Sequence, residues 1–166
     1  MLAQAGASRA LPLPPAEYLL SHDSEQCDLP SPDAPLPVGA PLPFQCLGHT
    51  VLLVRTGPLE VLLLNSWPEC QQEAADRAAF RRRAVLFARA ACRADGVAVR
   101  EVCPQLQDRE ANNCMLFVVA WMAELLLGWR TAGDVAGGDV VLDEASLRRT
   151  AWAYLASGRV ALFSSS

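Results

Sequence analysis

The sequence predicts an α+β fold in which helices pack on a small sheet. Three observations predict this class. Of the 166 residues, 52% are hydrophobic, short β-branched runs alternate with longer segments of helical period, and the order of elements is β, β, α, β, α, α. The charged fraction of 19% is too low for a wholly disordered chain. A chain of this length is expected to form one domain, with or without a tail.

The first 43 residues differ in composition from the rest of the chain. Nine of the twelve prolines lie there, and six of them recur every two to four positions from Pro30 to Pro43. Because proline lacks a backbone N–H and disfavours helix in the residue before it, this spacing predicts a largely disordered tail over residues 1–43. The tail is interpreted as a linker, with a ligand for an aromatic groove as the alternative. The folded domain is predicted over residues 44–163.

A β-hairpin is predicted at the start of the folded domain. Its strands are the apolar runs His49–Val54 and Leu59–Leu64, and the residues between them, Arg55-Thr56-Gly57-Pro58, are a turn signal. A hairpin brings its two outer ends together. His49 and Asn65 are therefore expected to be neighbours.

The later elements follow from periodicity and from stop signals. They are a helix over residues 71–93, a strand over 97–103, a helix over 114–127 and a closing helix over 142–157. Residues 114–127 are apolar on every side, which predicts a central buried helix. Asp143 is the expected N-cap of the closing helix.

Charge and cysteine usage limit the expected partners. The net charge is −4 and all 14 basic residues are arginine, so a nucleic-acid partner is not expected. The six cysteines form no C-x-x-C pair, which argues against a zinc knuckle or a dense disulfide framework. The longest apolar stretch, Met115–Ala123, is too short to span a bilayer, and no secretory signal is evident. We therefore expect an intracellular protein without a membrane segment, metal or other cofactor, whose oligomeric state stays open.

Four polar residues are candidates for covalent chemistry. Cys114 begins the buried helix, where the partial positive charge of the helix N-terminus favours a thiolate. His49 is the candidate base for that thiol, and the amide of Asn65 can hold the imidazole in one tautomer. Gln107 is placed in the preceding loop to donate an amide N–H to an oxyanion. Each residue alone has an ordinary structural explanation, but the ordered set favours nucleophilic catalysis by cysteine.

This ordered set resembles the ubiquitin-like-protein proteases, meaning the SUMO- and sentrin-specific and adenovirus-type cysteine peptidases. In that family the papain constellation occurs in permuted order, with His first and Cys last. The family's hairpin, H-W-x-L-x-V followed by Y-D-S-L, is similar to residues 49–54 (HTVLLV) followed by 64–67 (LNSW). Its second motif, v-P-x-Q-x-N-x-x-D-C-G-x-F, is similar to residues 102–108 (VCPQLQD) and 112–117 (NNCMLF). The resemblance covers about residues 44–157.

The resemblance implies a permuted papain-like core, with a small sheet against a central helix and flanking helices. It makes His49 the general base, Asn65 its orienting partner and Cys114 the nucleophile. It makes Gln107 the oxyanion donor, with Gln105 as the second candidate because Gln107 lies one residue farther from Cys114 than is usual in the family. No cofactor is implied.

The chain departs from the family pattern at several positions. Asn65 replaces the usual Asp, Met115 replaces the Gly after the nucleophile, and Thr50 replaces the aromatic residue after the His. Family members also carry a substrate-gripping subdomain with a tryptophan before the His, whereas the first tryptophan here is Trp67. The resemblance is therefore to a divergent or truncated member.

The expected activity is that of a cysteine peptidase or isopeptidase that cleaves after the C-terminal tail of a ubiquitin-like modifier. Two alternatives stay open. One is an inactive relative that only binds a ubiquitin-like or other protein partner. The other is an acyltransferase that uses the same triad, against which Asn65 argues because such enzymes typically have Glu at that position.

Overall fold

The computed structural model describes residues 34–67, 74–108, 113–139 and 141–157, without the side chains of 152–157. The elements in these ranges are β1 Pro41–Cys46, β2 His49–Gly57, β3 Glu60–Leu64, α1 Ala74–Cys92, β4 Ala98–Val102, α2 Cys114–Leu126, α3 Ala132–Gly137 and α4 Glu144–Ser157. The α+β class predicted from the sequence is confirmed. No helix within the described ranges is long and apolar enough to cross a membrane.

The four strands form one mixed sheet in the order β1-β2-β3-β4. β2 is antiparallel to both β1 and β3, so the predicted hairpin is confirmed, with an irregularity between Arg55 and Gly57. β3 and β4 are parallel, with Leu63 opposite Glu101 and Leu64 opposite Val102. A parallel pair requires a long crossover connection, and α1 lies within the segment that joins these strands.

The sheet separates two apolar clusters because side chains alternate along each strand. Val51 and Leu53 of β2 belong to the cluster that includes Phe80 and Phe87 of α1, here called the α1-side cluster. Leu52, Val54 and the neighbouring strand residues pack with α2 in the α2-side cluster, whose apolar side chains include Phe117, Trp121, Val135, Leu142 and Leu147. Each face of the sheet is therefore covered by helix.

β1 begins inside the segment that the sequence assigned to the tail. Leu36, Ala40 and Leu42 are buried in the α1-side cluster. Pro41 and Pro43 are compatible with this strand because β1 is an edge strand, where a residue without an N–H need not pair. The folded part therefore includes residues 36–43, which the composition alone placed outside it. The remainder of the predicted tail, residues 1–33, lies outside the described residues.

The helix ends confirm one prediction from the sequence, the N-cap of α4, and show one helix that was not predicted, α3. The Asp143 carboxylate accepts from the backbone N–H of Ala145 at 3.1 Å, as expected of the predicted N-cap of α4. α3 was not predicted, although Thr131 and Asp134 form a capping box at its start. α2 is less enclosed than its composition suggested, since Met115 and Val119 are exposed.

Candidate active site

The site begins with a contact between the two outer ends of the β2–β3 hairpin. His49 is the first residue of β2 and Asn65 directly follows β3. Nε2 of His49 lies 2.8 Å from Oδ1 of Asn65, and both residues are only 2% exposed. The hairpin thus places an imidazole and an amide in hydrogen-bonding contact, as the sequence predicted.

Three hydrogen bonds fix the orientation of the Asn65 amide. Its Nδ2 donates to Oε1 of Glu101 at 2.8 Å, and its Oδ1 accepts from the backbone N–H of Trp67 at 3.0 Å as well as from His49. A carboxylate can only accept, so the amide nitrogen must face Glu101 and the amide oxygen must face the ring. Nε2 of His49 therefore carries the proton in the neutral ring, and Nδ1 holds the basic lone pair.

The surroundings of His49 favour the neutral ring. Burial lowers the pKa of His49 below its ordinary value of 6.5, while the hydrogen bond with Asn65 and the negative charge of Glu101 oppose that shift. The ring also packs against Phe80 of α1, with ring centroids 5.4 Å apart. A neutral imidazole is the form that can accept a proton from a thiol.

Gln107 supplies an amide donor beside Ser66, the residue that follows Asn65. Its backbone N–H donates to the carbonyl of Ser66 at 2.9 Å, and its side-chain Oε1 accepts from the Ser66 hydroxyl at 2.7 Å. Its Nε2 is buried and has no hydrogen-bond partner among the described residues. An unpartnered buried amide N–H is costly, so a ligand oxygen that accepted from it would be bound favourably.

Gln105 has a structural task instead. Its Nε2 donates to the carbonyl of Leu142 and its Oε1 accepts from the N–H of the same residue, each at 2.7 Å. Both ends of this amide are occupied. Gln107 is therefore the glutamine with a donor available for an oxyanion.

Cys114 is the first residue of α2, as the sequence predicted. It is 6% exposed and belongs to neither apolar cluster. The side chain of the N-cap residue, Asn113, makes no capping hydrogen bond to the helix; its Nδ2 donates to Glu144 at 2.9 Å and its Oδ1 accepts from Arg148 at 3.2 Å. The first backbone N–H groups of α2 thus lack a side-chain cap next to the thiol.

Glu144 connects the start of α2 to the loop that contains Gln107. One carboxylate oxygen accepts from the side chain of Asn113 at 2.9 Å, and the other accepts from the backbone N–H of Asp108 at 2.7 Å. A chain of contacts therefore runs from His49 and Asn65 through Ser66 and Gln107 to the residue that precedes Cys114.

The structure does not join Cys114 to His49 directly. Among the described residues, no hydrogen bond links the thiol of Cys114 to the imidazole. His49 packs against α1, whereas Cys114 begins the helix on the opposite face of the sheet. The cysteine paired with His49 in the sheet register is Cys46 of β1, which accepts a hydrogen bond from Arg83 at 3.3 Å.

Sequence reasoning missed the residues that support the four candidates. Glu101 holds Asn65, Ser66 holds Gln107 and Glu144 holds Asn113. Ser66 directly follows Asn65, so its position in the sequence could have indicated it. The other two act across more than thirty positions of sequence, and no local pattern marks such pairs.

Comparison with known proteins gave no match: no family model, no curated protein and no solved structure matches the chain. Within the part of the chain that the structure describes, no group of three or more His, Cys, Asp or Glu side chains is arranged to hold a metal ion. Evidence for the function of this chain therefore comes from the site residues and their contacts.

Proposed function

We propose that the protein is a cysteine peptidase or isopeptidase of permuted papain-like fold that cleaves after the C-terminal tail of a ubiquitin-like modifier. The observation that carries the proposal is the 2.8 Å contact between His49 Nε2 and Asn65 Oδ1, because it leaves Nδ1 as the basic nitrogen. The substrate class comes from the resemblance of the His49 and Cys114 motifs to those of the ubiquitin-like-protein proteases.

In the proposed reaction, Nδ1 of His49 accepts the thiol proton of Cys114 and the sulfur attacks the carbonyl carbon of the last residue of the modifier tail. The resulting oxyanion accepts from Nε2 of Gln107 and from backbone N–H groups at the start of α2. When the tetrahedral intermediate collapses, the C–N bond breaks and the amine leaves with the proton from the imidazolium. Water, with His49 as base, then hydrolyses the thioester and restores the thiol.

This reaction requires the thiol and the imidazole to approach each other when substrate binds. Catalytic hydrogen bonds are often long or misaligned in an unliganded site and tighten in the complex with substrate. Substrate binding would also provide the oxygen acceptor that Nε2 of Gln107 lacks among the described residues.

The second candidate function is binding without catalysis, in a relative whose active site has decayed. Two observations favour it. The described thiol of Cys114 makes no hydrogen bond with His49, and the exposed Met115 directly follows it where the related enzymes have Gly. A side chain at that position narrows the approach for a Gly-Gly tail.

Turnover of a ubiquitin-like C-terminal reporter tests the proposal. We expect Cys114→Ala and His49→Ala to abolish turnover, because nucleophile and base act as one unit, and Asn65→Ala to retain reduced activity. Cys46→Ala is the matched control, since it removes the thiol opposite His49 in the sheet and should leave turnover in place. Turnover that survives Cys114→Ala but not Cys46→Ala would contradict the assigned nucleophile.

Thiol labelling separates the enzyme from the binding protein without a substrate. Cys103 is exposed, but desolvation and the charge of Glu101 raise the pKa of its thiol. If exposure decides the labelling rate, Cys103 should react faster than the buried Cys114. If Cys114 is an activated nucleophile, it should react faster than Cys103 in spite of its burial. Faster labelling of Cys114 supports the peptidase, and faster labelling of Cys103 together with no reporter turnover supports the inactive relative.

A further inference from the structure

Glu101 lies near the C-terminal end of β4, opposite Leu63 of the parallel strand β3. Its Oε1 accepts from Nδ2 of Asn65 at 2.8 Å, and its Oε2 lies 2.8 Å from Nε of Arg81. The carboxylate side chain is 22% exposed, while Arg81 is 59% exposed. A chain of contacts thus begins at the imidazole of His49 in β2 and passes through Asn65 after β3. It continues through Glu101 in β4 and ends at Arg81 in α1.

Glu101 and the backbone N–H of Trp67 together determine which way the amide of Asn65 faces. Without the carboxylate, only the N–H of Trp67 would oppose a turn of the amide that presents its nitrogen to the ring. Nε2 of His49 would then be the acceptor, and the proton would lie on Nδ1, the nitrogen that the proposed reaction requires to be basic. Glu101 therefore supports the tautomer in which Nδ1 is the basic nitrogen, together with the N–H of Trp67.

Glu101 also carries a negative charge that Asn65 lacks. In the family that the sequence resembles, the residue next to the His is a charged Asp, and a neutral amide cannot stabilise an imidazolium to the same extent. Here the carboxylate is the next group along the same hydrogen-bonded line. Its electrostatic effect on the ring is favourable to the protonated form.

We infer that Glu101 is a positioning residue for His49. With the N–H of Trp67 it orients the Asn65 amide so that Nδ1 is the basic nitrogen, and it supplies, from one residue farther away, the negative charge that the neutral amide does not carry. The inference rests on the proposed function only in naming His49 as the base, and the hydrogen-bond geometry stands without it.

Other ionisable groups lie on the elements around the imidazole. β1 contributes Cys46 and α1 contributes Arg81 and Arg83, of which Arg83 donates to Cys46. α2 contributes Cys114 at its first position. Glu101 is connected to the ring by hydrogen bonds through Asn65. Substitution of Glu101 should therefore change the titration of His49 most directly.

The test is an NMR titration of the imidazole in the full chain with His22→Gln, which leaves His49 as the only histidine. In this background we expect the neutral ring to be the Nε2–H tautomer. Glu101→Gln keeps the size of the side chain and removes the charge, and we expect the pKa of His49 to fall. Glu60→Gln, at the far end of the same strand pair, is the matched control and should leave that pKa unchanged.

Arg81→Gln is a second variant, for which the expected change in the pKa of His49 has the opposite sign. It removes the positive charge that partly neutralises Glu101 from an exposed position, so folding should be preserved and the pKa of His49 should rise. A His49 pKa that is the same in Glu101→Gln and Glu60→Gln would overturn the inference. If Glu101→Gln does not fold, the absence of a rise in Arg81→Gln overturns it. The titration needs no turnover, so its result is independent of whether the protein is a peptidase.

Discussion

Asn65 satisfies three neighbours with one amide, which a carboxylate at the same position could not do. Its oxygen accepts from His49 and Trp67, and its nitrogen donates to Glu101. An Asp there would face the carboxylate of Glu101 at hydrogen-bonding distance, and two like charges so close cannot both stay ionised at low cost. The presence of Asn at position 65, where the proteases that the sequence resembles have Asp, is therefore consistent with the presence of Glu101.

Exchanging the amide of Asn65 with the carboxylate of Glu101 tests this pairing. Asn65→Asp alone should lower the free energy of unfolding by about 1–3 kcal/mol, because it replaces a hydrogen bond with a repulsive contact near the sheet. Adding Glu101→Gln should recover most of that loss, since the Gln amide can donate to the new carboxylate. Chemical denaturation of the two single variants and the double variant measures the coupling. Independent, additive effects would show that the two residues do not act as a pair.

At the scale of elements, the two glutamines of the loop between β4 and α2 have different structural tasks. Gln105 joins the loop to Leu142 by two hydrogen bonds, whereas Gln107 leaves its Nε2 without a partner among the described residues. One glutamine thus secures the loop to the segment before α4, and the other has a buried donor that is available to a ligand.

These tasks predict different kinetic results for two otherwise identical substitutions. Gln107→Ala should lower kcat on the order of 10²-fold, the usual cost of one oxyanion donor. It should also cost about 1–3 kcal/mol of stability, because it leaves the buried Ser66 hydroxyl without its acceptor. Gln105→Ala should cost about 1–3 kcal/mol of stability through its two lost hydrogen bonds and leave kcat of the folded protein nearly unchanged. Each variant is the control for the other in paired kinetic and denaturation measurements. A larger loss of kcat in Gln105→Ala would reverse the two roles.

The parts of the fold that the sequence predicted are those set by local signals. The hairpin followed from two apolar runs around a turn, and the contact of His49 with Asn65 followed from the hairpin. The position of Cys114 at the start of α2 followed from the change from a polar loop to an apolar run. β1 did not follow, because the prolines that argue against a central strand are acceptable at an edge.

The contacts of Glu101 were beyond sequence reasoning for a different reason. Alternation placed Glu101 on one face of a strand, but the parallel pairing of β3 with β4 is set by the packing of α1 and not by any local signal. Without that register, a partner for Asn65 on a distant strand could not be chosen. The same holds for Glu144, whose two contacts depend on how α4 packs beside α2.

At the scale of the whole molecule, His49 links folding to pH. Burial lowers its pKa in the folded state below the ordinary 6.5 that applies in the unfolded chain. Between these two pKa values the unfolded state binds more protons than the folded state. The stability that the protein has with a neutral His49 is therefore fully present above about pH 6.5 and is lost as the pH falls toward the folded-state pKa.

We therefore expect the wild-type protein to lose stability across that interval more steeply than His49→Gln does. One group of this kind contributes a slope of at most about 1.4 kcal/mol per pH unit. Denaturation of both proteins at a series of pH values from about 7.5 downward measures the difference, with the other titrating groups common to both. Equal slopes would show that the imidazole is not kept neutral by the fold.

The two prolines of β1 have a consequence for how separate molecules meet. In an antiparallel pair, alternate residues direct their backbone groups away from the partner strand, and Pro41, Pro43 and Gln45 share one alternation in β1. Pro41 and Pro43 have no N–H, so along this outer side only Gln45 offers a donor to an incoming strand. Side-by-side addition of a second chain would leave its carbonyls unsatisfied at two positions. This edge is thereby protected against strand-to-strand aggregation, although half of the protein's residues are hydrophobic.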